Sequence, residues 1–145
     1  MDPKRWGDEA VNLDVIKPRA VVGLNGLYDL PTLIRDPGEK YAQLIPVYAE
    51  FTRGAFGEDE KVWREVSPVS VKDWVKEWGR PDGNPVLVQS KEDTLVPYRQ
   101  LEDIMMALKE SGVKVVEMGA AGDHDELWEK GDRLAEIVQE VVERM

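Results

Sequence analysis

The sequence predicts an α/β fold of about three parallel strands with flanking helices, and three observations carry that reading. Three short apolar runs, "AVVGL", "PVLVQS" and "VKVVEMG", read as strands, and the second is continuous in its apolar character, as parallel strands covered on both faces are. Between the second and third, "PYRQLEDIMMALKESG" places Leu101, Ile104, Met105 and Leu108 at i, i+3, i+4 and i+7, one face of an amphipathic helix. Strand, helix, strand, helix at this spacing calls for right-handed crossovers between parallel strands.

In chain order, Ala20 to Leu24 forms the first strand and breaks into a loop at Asn25-Gly26, which either turns the chain or lines a pocket. Residues 31–80 follow as a cap or connector, largely irregular with short helices, punctuated by Pro31, Pro37, Gly38, Pro46, Gly54 and Gly57. Its aromatics, Tyr41, Tyr48, Phe51 and Phe56, pack on one another or face an aromatic substrate. A short helix is expected around Lys61 to Val66, stopped at Ser67-Pro68, while Trp74 and Trp78 stand four apart on one helical face. Pro81-Asp82-Gly83 signals the turn into the second strand, residues 85–90. A helix over 98–112 closes at Gly112 and the third strand takes 113–119. The last helix covers 126–145, with Leu134, Ile137, Val138, Val141, Val142 and Met145 on its apolar face.

The 145 residues suffice for one domain with a core, and the whole chain, 1–145, reads as a single partial domain. It is partial because three strands with two open edges offer little sheet to cover five tryptophans and two long apolar helix faces. A formal charge of −10 argues against nucleic acid as a partner, since phosphates need a basic field, and equally against an anionic membrane surface. The absence of cysteine removes disulfides and thiolate metal sites and fits a reducing compartment. No apolar run reaches the roughly 18 to 20 residues of a membrane span. The first residues, "MDPKRWGDEAV", lack the basic head and apolar stretch of a signal peptide, so a cytoplasmic protein is expected.

The chemistry concentrates at two strand ends. Asp93 lies just past the second strand in "QSKEDTLVPYRQ", and the only histidine, His124, lies thirty-one residues later, just past the third, in "GAAGDHDELW". Adjacent parallel strands run roughly 4.8 Å apart, so their C-terminal ends share one rim and these side chains are within reach of each other. A carboxylate that fixes an imidazole tautomer and stabilises the imidazolium is half of a nucleophilic triad. The blander readings are a solvated loop carboxylate at Asp93 and a structural or surface histidine. Glu92 reads as a solvated neighbour. A metal site at Asp123, His124, Asp125 and Glu126 is disfavoured, because consecutive side chains diverge and no second histidine exists.

The pair "QSKEDTLVPYRQ" and "AGDHDELW" resembles the acid-loop and histidine-loop ends of the α/β-hydrolases, where D-x-x-V-P precedes the histidine by about this distance. More narrowly, "PRAVVGLNGLYDLPTL", "YAEFTRGAFG", "WREVSPVS" and the acid loop resemble the fungal type of kynurenine formamidase, from about residue 15 to the end. That resemblance implies a partial α/β-hydrolase fold holding the last three strands of the family's larger sheet. It implies hydrolysis of N-formylkynurenine to kynurenine and formate, in tryptophan degradation, through an acyl-enzyme and with neither metal nor cofactor. It also implies Asp93 as the triad acid and His124 as the general base.

The nucleophile does not carry over. Neither G-x-S-x-G nor an H-G-G-type oxyanion loop occurs, and none of Ser67, Ser70, Ser90 and Ser111 reads as lying on a strand-to-helix elbow. The expected partners are therefore a small formamide or ester substrate, together with a missing N-terminal segment, a second chain or a second copy. Within the same fold the alternative is another small-molecule carboxylesterase, and two readings outside it stay open. One is a non-catalytic α/β scaffold or dimerisation module using the open sheet edge. The other is an independent flavodoxin-like domain, which lacks a phosphate-cradling glycine turn after the first strand.

Overall fold

The second apolar run is the centre of the sheet. In the computed structural model, which describes residues 18–78 and 85–144, β2 is Val86–Ser90 and is buried at all five positions. β1 (Val22–Leu24) and β3 (Val116–Ala120) lie on either side of β2 and parallel to it, in the order β1-β2-β3. Helix α5 (Arg99–Glu110) connects β2 to β3, and α6 (Glu126–Lys130) and α7 (Asp132–Glu143) follow β3. Side chains of β2 alternate between two cores. Val86 and Val88 join Met118, Leu127, Ile137 and Val141, whereas Leu87 joins Leu101, Ile104, Met105 and Leu108 of α5. Helices on both faces explain why this strand is apolar without interruption.

Two strands are shorter at their starts than their apolar runs. β1 starts at Val22 rather than Ala20: its pairing begins where Val22 meets Val86, whose N–H donates to the Val21 carbonyl at 2.9 Å. β3 starts at Val116 rather than Val113, because α5 closes first. Gly112, at φ +74°, sends its N–H to the Lys109 carbonyl while Val113 sends its own to Leu108, a Schellman closure that uses those residues. Leu108 and Val113 meet in the core on this side of the sheet, as that motif favours.

The single helix expected over 126–145 is two. Gly131 sits in the left-handed region at φ 73° and separates α6 from α7. Nor is the apolar face of α7 buried in full. Ile137 and Val141 reach the sheet, but the neighbouring row, Val138 and Val142, is 50% and 58% exposed.

Residues 31–78 are more regular than their sequence suggests, and they carry their own core. α1 (Leu30–Arg35) is capped by Asp29, whose carboxylate accepts from the Thr32 N–H at 3.1 Å. A 3₁₀ turn over Glu39–Leu44 leads to α2 (Ile45–Phe56), then α3 (Glu60–Val66), a second 3₁₀ turn at Pro68–Ser70 and α4 (Trp74–Trp78). Leu30, Leu33, Tyr41, Tyr48 and Trp63 cluster between them. The turn at Pro81-Asp82-Gly83, the side chain of Trp78, Met145 and residues 1–17 lie outside the described residues. No helix of the described residues is long and apolar enough to cross a membrane.

Candidate functional site

Parallel pairing brings the C-terminal ends of all three strands to one rim, and each delivers one residue there: Asn25, Asp93 and His124. Asp93 follows β2 after a short turn in which Ser90 Oγ accepts the Glu92 N–H at 3.1 Å. The Asp93 side chain is 0% exposed. A buried carboxylate needs a full set of donors, and it has them. Oδ1 accepts from the Leu95 N–H at 2.7 Å and the Val96 N–H at 2.8 Å, and Oδ2 lies 2.9 Å from His124 Nδ1. The two carboxylate oxygens thus divide the work: one fixes the loop and the other holds the imidazole.

The helical region packs over this loop and braces it. Tyr41 Oη and Lys40 Nζ both donate to the Asp93 carbonyl at 2.7 Å, and Tyr48 Oη donates to the Leu95 carbonyl at 2.7 Å. Burial is the main cause that pushes the Tyr48 hydroxyl up to about 12, with the nearby Tyr41 and Asp93 adding to it, so it stays protonated and able to donate. Gln89, itself buried on β2, donates to the Val96 carbonyl at 2.9 Å. Of the aromatics, then, Tyr41 and Tyr48 pack inward and position the acid loop, while Phe51 and Phe56 are exposed at 38% and 37%. Tyr48 and Phe51 also meet edge to face with ring centres 6.2 Å apart.

The histidine loop is tied differently. Gly122, Asp123 and His124 present three successive N–H groups, and a carboxylate oxygen meets each one. Glu92 takes Gly122 at 2.6 Å, Glu126 takes Asp123 at 3.2 Å and Asp123 Oδ1 takes His124 at 2.7 Å. Gly122 has φ +87°, a left-handed conformation that favours glycine. Asp123 reaches across to the acid loop as well, accepting from the Thr94 N–H at 2.8 Å and the Thr94 hydroxyl at 2.7 Å. The Thr94 hydroxyl, followed by the His124 and Thr94 amides, holds the Asp123 carboxyl below the usual carboxylate range.

Asn25 closes the arrangement. Its backbone is in the left-handed region at φ 44°, its N–H donates to the Val88 carbonyl, and its side-chain Nδ2 donates to the His124 carbonyl at 3.0 Å. Asn25 thus turns the chain, one of the two readings of Asn25-Gly26, and its side chain also ties the end of β1 to the histidine loop. Glu92, expected to be merely solvated, is a loop-to-loop tie. Lys40, Thr94 and Asp123 were not singled out as part of this assembly. The usable signals were the polar residues directly flanking Asp93 and His124, and an asparagine at a strand end.

The two buried serines, Ser67 and Ser90, are occupied elsewhere. Ser67 Oγ accepts from Leu30 N–H at 3.0 Å and donates to the Trp63 carbonyl at 2.6 Å, and Ser90 Oγ is used in the acid-loop turn. Among the described residues no group of three or more His, Asp and Glu side chains is placed to hold a metal ion.

Comparison with known proteins adds the following. No family model matches the sequence. A kynurenine formamidase-like hydrolase of Fusarium equiseti is 38% identical over 130 residues, which cover 86% of this chain and 41% of that protein. A kynurenine formamidase of Aspergillus versicolor is 29% identical over 131 residues, covering 79% of this chain and 45% of that protein. The chain therefore spans less than half the length of these relatives. Among solved structures, an acylaminoacyl peptidase in complex with Z-Gly-Gly-Phe-chloromethyl ketone matches at TM-score 0.56 and 22% identity, over 80% of this chain and 17% of that one. A puromycin-hydrolysing peptidase of Mycobacterium tuberculosis matches at 0.53 and 21%, over 72% and 15%. Both have the α/β-hydrolase fold. The chain is thus a three-stranded portion of an α/β-hydrolase fold, similar in sequence to kynurenine formamidase-like hydrolases.

Proposed function

We propose that this chain, as a single partial domain, carries the acid and the base of a serine hydrolase, and that the complete site cleaves a small aryl formamide of the N-formylkynurenine kind. The observation that carries the reading is the 2.9 Å contact between His124 Nδ1 and an Asp93 carboxylate that is fully buried and anchored through its other oxygen. With its proton on Nδ1 and held by Asp93, the imidazole has Nε2 free to act as a base. A serine hydroxyl supplied by residues beyond these 145 gives its proton to Nε2 as Oγ attacks the formyl carbon. His124 then returns the proton to the departing aryl amine, leaving a formyl ester on the serine. Water attacks that ester with His124 again as base, and formate leaves as the serine takes back its proton. Through both steps Asp93 keeps the ring oriented and offsets the charge of the imidazolium.

Two features support a segment outside this sequence as the source of the nucleophile. β1 pairs with β2 and with no other described strand, so its far edge is open to a further strand. Beside it runs an apolar hollow lined by Val21, Gly23, Tyr28, Trp74, Leu87 and Ile104, in which Tyr28 Oη and Trp74 Nε1 are buried with no hydrogen-bond partner. The same open edge favours a second reading, a scaffold that pairs with another copy of itself. One experiment separates them. The chain is joined to a segment bearing G-x-S-x-G and assayed for formate release from N-formylkynurenine. Activity that disappears in His124→Ala supports the hydrolase; activity that survives it removes His124 as the base, and a stable dimer with no turnover favours the scaffold.

A further inference from the structure

The Asp93–His124 contact does not hold itself in place, and the neighbouring bonds point to what does. We propose that Asp123 and Thr94 form a bracket that sets the spacing of the two loops, making Asp123 a positioning residue for the imidazole. This inference rests on the acid–base reading above and extends it to residues that do not touch a reacting atom.

The case is geometric. Thr94 immediately follows Asp93 and Asp123 immediately precedes His124. One carboxylate joins them: Asp123 Oδ1 takes the Thr94 N–H, the Thr94 hydroxyl and the His124 N–H at 2.8, 2.7 and 2.7 Å, and Oδ2 takes the Thr94 hydroxyl again at 2.9 Å. Consecutive Cα atoms are locked about 3.8 Å apart, so bonding residue 94 to residue 123 fixes the backbone of 93 against that of 124. The other side of His124 is secured too, since Asn25 Nδ2 holds its carbonyl at 3.0 Å. With both its N–H and its carbonyl tied, the ring keeps only its two side-chain torsions, and a single bond to Asp93 Oδ2 is enough to settle them. Without the bracket the backbone of His124 is tied at its carbonyl alone, by Asn25, and the spacing of the two loops is no longer set. A displacement of about 1 Å at a catalytic group costs on the order of a hundredfold in rate.

The chain's single histidine makes this testable by ¹⁵N NMR, since the imidazole nitrogens of only one residue appear. At a pH where the ring is neutral, the bracket predicts the proton on Nδ1 in the wild type. In Asp123→Ala the Nδ1–H population drops severalfold toward a mixture with the Nε2–H form, while amide signals of β2 and β3 stay in place. Asp123→Asn, which retains an acceptor for the Thr94 and His124 amides, restores most of it. Thr94→Val, which removes only the hydroxyl, gives a smaller drop. A tautomer ratio in Asp123→Ala equal to that of the wild type overturns the bracket and leaves the acid–base pair standing. A wild-type ring that already carries its proton on Nε2 overturns both. Should Asp123→Ala disturb the amide spectrum, the Asp123→Asn and Thr94→Val ratios decide, and two wild-type values reject the proposal.

Discussion

The acid loop and the histidine loop end neighbouring strands and meet in one hydrogen bond, yet they are held by opposite means. The acid loop is fastened from inside. Asp93, Gln89 and Val96 are buried, and its carbonyls receive Tyr41, Tyr48, Lys40 and Gln89. The histidine loop is fastened from outside, by Glu92, Asp123 and Glu126 on its backbone amides in solvent-accessible surroundings. Water competes more for the second set than for the first, whose bonds are buried or part-buried, and buried bonds fix a group more firmly than exposed ones. The difference suits the two roles. An acid that only orients its partner gains from immobility, whereas the base has to present Nε2 toward an incoming substrate.

The comparison is tested most severely at Asp93. Asp93→Asn keeps an acceptor for the Leu95 and Val96 amides and so leaves the loop intact, but its amide donates toward His124 Nδ1 and forces the wrong tautomer. In the completed enzyme kcat is expected to fall about 10⁴-fold; a loss below tenfold would show that Asp93 is not the orienting acid. Asp93→Ala goes further and leaves two amides at the loop without their acceptor. It should lower the stability of the chain by about 2–4 kcal/mol, read from a denaturant midpoint.

Tyr41→Phe probes the brace rather than the acid. It removes one buried hydroxyl from the Asp93 carbonyl and leaves Lys40 as the remaining donor, an expected cost of about 1 kcal/mol. An unchanged midpoint would mean that the helical region covers the acid loop without supporting it.

How much of this was legible in the sequence follows from the same division. The three strands, α5 and the Asp93–His124 pair were readable because each leaves a periodic or strand-end signature: a continuous apolar run for β2, the 101/104/105/108 stripe for α5, polar residues just past β2 and β3. The break at Gly131 was hidden inside an otherwise helical apolar pattern. The burial of only one row of α7 depends on how wide the sheet is, which no helix reports about itself. The cap region gave only its short helix around Lys61 to Val66 clearly, because its other helices are short and their stabilising contacts lie far away in sequence, as when Tyr41 reaches Asp93 across 52 positions. Glu92, Thr94 and Asp123 are polar residues in loops, indistinguishable by type from solvated ones until the loops are placed side by side.

Acid should loosen the histidine loop first. The Thr94 hydroxyl and the flanking amides hold the Asp123 carboxyl below its usual range, and the Lys130 ammonium with the Asp123 amide does the same for Glu126. A carboxyl depressed in the folded state stabilises that state fully above its unfolded pKa of about 4, and that contribution is lost as pH falls through the lower folded value. The amide shifts of Asp123 and His124, held by Glu126 and Asp123, should therefore move together below about pH 4. The Tyr48 hydroxyl, pushed up to about 12 mainly by burial, keeps its proton throughout this range, and the bond it donates to the acid loop should hold. Simultaneous loss of both loops would erase the distinction drawn between them.

The smallest effect is expected at Glu92, and its sign is informative. Glu92→Gln keeps a side-chain oxygen for the Gly122 N–H but removes one negative charge from a rim that also carries Asp93, Asp123, Asp125 and Glu126, in a chain of net charge −10. A charge-assisted bond is stronger than a neutral one, which favours the carboxylate. Like charges this crowded repel, which favours the amide, and exposure weakens both effects. The two should nearly cancel, leaving stability within about 0.5 kcal/mol of the wild type. Repeating the measurement at high salt separates them. If repulsion matters, the glutamine variant's relative advantage shrinks as salt screens the rim. If the carboxylate is needed for the bond itself, the variant is less stable at low salt and the gap narrows from the other side. A loss well above 1 kcal/mol in Glu92→Gln would mean that this exposed tie carries as much as the buried ones, and the contrast between the loops would not survive it.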